Sequence, residues 1–193
     1  MPDMRAKMFN RRASRPQSKA DAVIKSLDLR PGQIIADIGS GGGFFSFRFA
    51  QEVGKSGKVY AVDVNSAMLK YVRKESVTMG LSNLSTVPAR DFFSAVSPGS
   101  LNIVFLRDVY HHLDDPVKYF AQVRKCLKPD GKVVIIDYRG DTSGLSFFKL
   151  FKHSVTPNQV TKDMTEAGYA PDTSFDYLPE QYFMVFKQKN SSM

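Results

Sequence analysis

From Ser18 onward the apolar positions Ala22, Val23, Leu27 and Leu29 recur at roughly helical spacing until Pro31-Gly32 stops the pattern, which predicts an opening helix. Gln33 to Ile38 is a short apolar run that reads as a strand. It ends in Asp37-Ile38-Gly39-Ser40-Gly41-Gly42-Gly43, and Phe44 to Val53 follows as a helix with Gly54 as its stop. Lys58 to Val64 predicts a second strand, after which Asn65 or Ser66 caps a helix through Met68, Leu69 and Val72 towards Gly80. Leu84 to Val87 is a weak third strand and Leu101 to Leu106 a strong fourth. Asp115-Pro116 opens a helix, with aspartate as cap and proline at the first helical position. Lys128-Pro129-Asp130-Gly131 reads as a turn into Lys132 to Asp137, a Val/Ile-rich run of the kind buried on both faces.

This alternation predicts an α/β fold, a doubly wound and mostly parallel sheet covered by helices on both faces, because parallel neighbours need crossovers of one hand. The end of the chain departs from it. Thr156-Pro157 caps a last helix ending at Gly168, and Thr173 to Leu178 and Gln181 to Lys187, joined through Pro179-Glu180, predict a C-terminal antiparallel hairpin. A length of 193 residues fits one domain spanning 1–193, with the basic segment 1–17 as the one candidate boundary.

Composition narrows the classes. With 42% apolar and 24% charged residues the chain is that of an ordinary globule and not of a disordered protein. No apolar run approaches the ~20 residues of a membrane span, and no apolar core follows the first basic residues, so a cytoplasmic location is expected. One cysteine, Cys126, and three histidines leave no disulfide and no structural zinc site, so no metal is expected. The net charge of +8 is concentrated at the front, where Arg5, Lys7, Arg11, Arg12, Arg15 and Lys19 face only Asp3. Two readings of that arm stand: a flexible solvated tail, or an arm that covers the site.

A glycine loop between strand and helix brings bare backbone to a ligand at the positive end of the helix dipole. The spacing is Asp37-x-Gly39-x-Gly41-x-Gly43 rather than the dinucleotide fingerprint, in which the third glycine would fall on Phe44. Asp63 ends the second strand, where a carboxylate can accept both hydroxyls of a ribose. These residues resemble the first motif and following acidic residue of class I S-adenosylmethionine-dependent methyltransferases, whose seven-stranded sheet the predicted elements also match. The resemblance runs from about Ser18 to Lys187. It implies S-adenosylmethionine as cofactor, held by Gly39, Ser40, Gly41 and Gly43, with Asp63 on the ribose and Asp91 on the adenine amino group. Phe92 would lie against the base, Val64 and Met68 on its other side, and the backbone near Arg107 at the methionine amino group. Asp37 is expected to organise the loop by accepting backbone N–H bonds. Tyr110-His111-His112-Leu113-Asp114-Asp115-Pro116 is similar, more loosely, to the branch that includes ubiquinone and menaquinone biosynthesis methyltransferases.

Methyl transfer from a sulfonium needs chiefly near-attack geometry, and a base only when the acceptor must lose a proton. Tyr110, His111 and His112 follow the fourth strand, on the side where open parallel sheets bind ligands, and are the candidate catalytic residues. A histidine pair opening a helix is equally a structural feature. Phe105-Leu106-Arg107-Asp108 is unlike the Asn/Asp-Pro-Pro-Tyr pattern of base-amino methyltransferases, and the lone cysteine disfavours a cysteine relay. Leu145, Phe147, Phe148, Leu150 and Phe151 stand where a substrate cover is expected, which favours a small acceptor, aromatic or partly apolar. The alternatives are an RNA methyltransferase using the basic arm, and a cofactor-binding regulatory protein without catalysis.

Overall fold

The computed structural model describes residues 2–139 and 155–189. Among them, parallel strands β1 (Ile34–Ile38), β2 (Lys58–Asp63), β3 (Leu84–Pro88), β4 (Leu101–Arg107) and β5 (Leu127–Tyr138) alternate with helices α3 (Phe44–Val53), α4 (Ser66–Thr78), α5 (Phe92–Ala95) and α6 (Pro116–Cys126). Helix α7 (Pro157–Glu166) leads into β6 (Tyr169–Phe175) and β7 (Gln181–Gln188), which pair antiparallel; β7 also pairs antiparallel with β5. The seven strands are ordered β3-β2-β1-β4-β5-β7-β6. The order reverses direction between β1 and β4, and the loops leaving their carboxyl ends diverge there, opening the crevice where such sheets bind ligands.

The central strands are apolar at nearly every position because helices cover both faces. One face packs Ile35, Val59, Ile103, Phe105 and Val134 against α3 and α4; the other packs Ala36, Val62, Val104, Leu106 and Ile135 against α5, α6 and α7. Phe105 is fully buried, its ring 5.1 Å from that of Phe45 and 5.0 Å from that of Phe49. The i, i+4 spacing of Phe45 and Phe49 thus serves the core.

The expected boundaries hold with local shifts. Asn65 caps α4 by accepting from Ala67 N–H, Asp115 caps α6 from Lys118 N–H and Thr156 caps α7 from Gln159 N–H. The opening helix is the shorter α2 (Ala20–Ser26), whose inward stripe is Ala20, Val23, Ile24 and Leu27; Ala22 and Leu29 lie outside it. Val64 lies beyond β2 and is 90% exposed. The turn at Lys128-Gly131 sits within β5 as an irregularity: Leu127 is opposite Leu101 and Lys132 opposite Ile103, so the intervening residues loop out of register. β6 begins at Tyr169, four residues before the expected start. Its Pro171 is tolerated because β6 is the sheet's edge and its pairing shifts between Pro171 and Thr173.

The structure adds an element at the front that the pattern did not predict. The basic segment contains helix α1 (Pro2–Ala13), packed against α4 and α3, with Ala6 fully buried. Sequence periodicity missed it because the inward face presents small or polar residues, Ala6, Asn10 and Ala13, and no apolar stripe. No helix of the described residues is long and apolar enough to cross a membrane.

Truncating Phe105 to alanine removes the contact between α3 and the middle of the sheet. Denaturant unfolding of Phe105→Ala should show a loss of about 3 to 5 kcal/mol; a loss below about 1 kcal/mol would mean that the aromatic cluster does not anchor α3.

Candidate functional site

The loop from β1 to α3 turns because Gly39, Gly41 and Gly43 all adopt positive φ, at 71°, 52° and 83°. Side chains rarely tolerate that region, so the alternate spacing is a backbone requirement. Packing adds a second reason at two positions. A Cβ on Gly39 would lie 2.2 Å from Val109 Cγ2, and one on Gly42 would lie 2.4 Å from the Ala6 carbonyl oxygen. Helix α1 therefore rests directly on the glycine loop, and Asn10 Nδ2 donates to the Gly42 carbonyl at 2.8 Å.

Asp63 is the tie between strand and loop. Its Oδ2 accepts the Gly41 N–H and its Oδ1 the Asn65 N–H, each at 2.8 Å, and the residue is 9% exposed. Three more of the loop's N–H groups are engaged: Gly39 and Ser40 both donate to the Val62 carbonyl, and Gly43 to that of Ser40. These internal bonds fix the loop's shape. What remains is Ser40 Oγ, buried with no hydrogen-bond partner. A buried unpaired hydroxyl is costly and marks a place where a polar ligand group or water completes the bonding.

Asp37 takes its bonds from Ser46, in the first turn of α3, and not from the glycine loop itself. Its carboxylate is buried on the α3 face and accepts from the Ser46 hydroxyl within α3. Burial, opposed by that hydrogen bond and reinforced by nearby Asp63, pushes its pKa up to about 7. Asp91 leaves its side chain about half exposed, 3.7 Å from Arg90. Phe92 and Met68 are corrections. At 1% and 3% exposed they belong to the two packed cores, because Phe92 opens the inward face of α5 and Met68 lies on the inward face of α4.

Across the crevice, His111 sits in a 3-10 turn spanning Tyr110 to His112. Its Nδ1 lies 2.9 Å from both oxygens of Asp137 near the end of β5, and its N–H also donates to Asp137. This bond, with desolvation opposing and the charges of Asp137 and Asp108 reinforcing it, raises the imidazole pKa. His112 is exposed with its ring 4.0 Å from that of His111; desolvation and the His111 charge lower its pKa. Tyr110 is the third correction. Its hydroxyl donates to Asp163 of α7 at 2.8 Å and its ring stacks on Phe120, so it anchors helices and faces away from the crevice. Burial, then the bond to Asp163, holds its phenol far above the ordinary range.

Arg107 turns its side chain back into the fold, over the Phe45 ring, donating to the Ser18 carbonyl and to Gln181 Oε1 while Nη1 remains without a partner. Asp108 takes a left-handed φ of 58° and accepts from Gln181 Nε2; burial pushes its carboxyl up to about 6. The structure adds three residues that the sequence reading did not single out: Asn10 on the loop, Val109 on Gly39 and Asp137 on His111. Only Asp137 had a signal, a carboxylate ending an otherwise apolar strand. The cover expected at Leu145, Phe147, Phe148, Leu150 and Phe151 lies outside the described residues.

Asp37 makes a pH test. A carboxyl whose folded pKa exceeds its ordinary 3.8 holds extra protons in the folded state, so stability falls as pH rises from there to about 7. His111 acts in the same direction, since its stabilisation is present below 6.5 and lost as pH rises through its raised folded value. Asp108, raised to about 6, adds to the decline over the lower part of that range, so Asp37→Asn should flatten roughly half of it between about pH 4 and pH 7 in denaturant melts. An unchanged slope would show that Asp37 is ionised throughout.

A methyltransferase domain model matches residues 29–189. The chain is 25% identical over 175 residues to the ubiquinone/menaquinone biosynthesis C-methyltransferase UbiE of Teredinibacter turnerae, covering 88% of this chain and 70% of that protein. It is 27% identical to an uncharacterized 37.1 kDa protein in transposon Tn4556 of Streptomyces fradiae, covering 81% of this chain and 49% of that protein. The chain thus spans about half to about two thirds of the length of these curated relatives. Among solved structures, a SAM dependent methyltransferase from Aquifex aeolicus shares the fold with a TM-score of 0.78 at 20% identity, over 93% of this chain and 96% of that one. The domain match takes in every strand, the glycine loop and the histidine turn alike, and on it this chain belongs to the methyltransferase domain family, as a class I S-adenosylmethionine-dependent member related to the ubiquinone methyltransferase branch.

Proposed function

We propose that this protein transfers a methyl group from S-adenosylmethionine to a small-molecule acceptor held beside His111, in the cytoplasm. The observation that carries the proposal is the crest formed by Ser40, Gly41 and Asp63: a left-handed glycine, a buried hydroxyl with no partner and a carboxylate lie together at the sheet's switch point. That donor and acceptor set suits the cofactor. Each Asp63 oxygen accepts one backbone N–H and retains capacity for a ribose hydroxyl, Ser40 Oγ offers a bond to the amino acid portion, and Asp91 remains open for an adenine amino group. When bound, S-adenosylmethionine supplies an electrophilic methyl on a sulfonium.

The chain's own part is positioning and, where the acceptor is acidic, proton removal. Neutral His111 takes the acceptor proton at Nε2, while Asp137 holds Nδ1 and stabilises the imidazolium that results. His111 is therefore the proposed catalytic residue and Asp137 a positioning residue. The acceptor is proposed as aromatic or partly apolar, supported by the five apolar residues between Leu145 and Phe151 and by the similarity to a quinone-pathway C-methyltransferase.

Calorimetry should show binding of S-adenosylmethionine and of its demethylated product, and none of NAD. Asp63→Ala removes a charged hydrogen-bond acceptor, worth about 1.5 to 3 kcal/mol, and should weaken cofactor binding about 10- to 150-fold in a folded protein; unchanged affinity would overturn the assignment. Labelled methyl should enter small molecules of a fractionated cell extract, and label in RNA instead would overturn the acceptor class. For the base, His111 should titrate above 6.5 by NMR, and Asp137→Asn should lower that value by removing the stabilising charge. An unmoved titration would remove Asp137 from the mechanism.

A further inference from the structure

Helix α1 has two distinct faces. Ala6, Asn10 and Ala13 turn inward onto the glycine loop and α4, with Ala6 fully buried. On the opposite side Met4 and Met8, one turn apart, are 69% and 60% exposed. Helical spacing puts Lys7 and Arg11 beside them on one flank and Arg5 on the other, and Arg15 follows just beyond the helix. All four cations are exposed, and from Arg5 to Lys19 the segment carries no acidic residue.

We propose that this outward face of α1 docks the protein on an anionic lipid bilayer, with Met4 and Met8 entering the interface and Arg5, Lys7, Arg11 and Arg15 on the headgroups. The occupant follows from the chemistry of the face. Cations alone would fit any polyanion, but two flexible thioether side chains at the centre of a cationic ring gain by leaving water for an apolar layer. Nucleic acid offers phosphate without that layer, and single-stranded recognition calls for a row of aromatic stacking side chains, whereas α1 has a single partly exposed aromatic, Phe9, a flank away from the methionines and engaged by Arg5. The helix is too short and polar to span a bilayer, so the mode is surface attachment. Because Asn10 and Ala6 on the other face clamp Gly42, docking would set the glycine loop directly beneath the bilayer surface. The inference does not depend on the identity of the acceptor.

The test is co-sedimentation of the full chain with vesicles of phosphatidylcholine alone or of phosphatidylcholine and phosphatidylglycerol at about 7:3. Binding to the anionic vesicles should exceed binding to the neutral ones at least tenfold and fall with salt. Each cation changed to glutamine, Lys7→Gln or Arg11→Gln, should weaken it about fivefold. Met4→Ser with Met8→Ser should weaken it about tenfold with the net charge unchanged. All these residues are exposed, so thermal unfolding should be unaltered. The proposal is overturned if anionic vesicles do not retain the protein at low salt, if the methionine pair has no effect on retention, or if a 20-nucleotide RNA binds more tightly than the vesicles and competes with them.

Discussion

The site depends on one constraint: the chain must leave β1 and enter α3 through a turn tight enough to cross the end of β2. Three residues with positive φ, spaced by two, accomplish it, and Asp63 secures the middle one by accepting the Gly41 N–H. The same carboxylate accepts from Asn65, whose own side chain caps α4. A single acidic residue thus joins the glycine loop, the end of β2 and the start of α4, so the groups proposed to hold the cofactor are fixed by the same bonds that hold the sheet to its helices.

Placing polar residues at the carboxyl crest has an energetic cost. Asp37, Asp108 and Arg107 all lie under cover that works against their charged forms, raising the two acids and lowering the base. Partners offset part of it: the Ser46 hydroxyl for Asp37, Gln181 for both Arg107 and Asp108. Gln181 opens β7, the antiparallel strand laid beside β5. The hairpin that sets this sheet apart from a wholly parallel one therefore also supplies the crest with its bridging amide.

His111 and the glycine loop reach the crevice from opposite sides of the switch point, one after β4 and the other after β1. Val109 closes the distance between them, since its methyl fills the space a Gly39 side chain would need. That contact links the backbone freedom of the loop to the placement of the histidine turn two residues on. Helix α1 adds a third boundary through Asn10 and Gly42, so the loop is held from below by Asp63 and from above by the basic segment.

The sequence by itself determined the sheet, the helices that cover it and the glycine loop at its crest. Parallel strands buried on both faces favour continuous apolar runs, left-handed turns favour glycine and helix starts favour a capping oxygen, and each of these is a local signal visible at Ile34–Ile38, Gly39–Gly43, Asn65, Asp115 and Thr156. Only the tertiary structure decided which polar side chains meet. His111 and Asp137 are separated by a helix and a strand and pair because β4 and β5 end side by side; Tyr110, adjacent to His111 in the chain, is turned away to Asp163 by the tight 3-10 geometry. Phe92 and Met68 carried the composition of ligand contacts, but the direction of one side chain from a helix is set by the packing of its neighbours. Helix α1 was illegible for a related reason: its inward face fits bare glycine backbone, which asks for small residues and leaves no hydrophobic stripe to read.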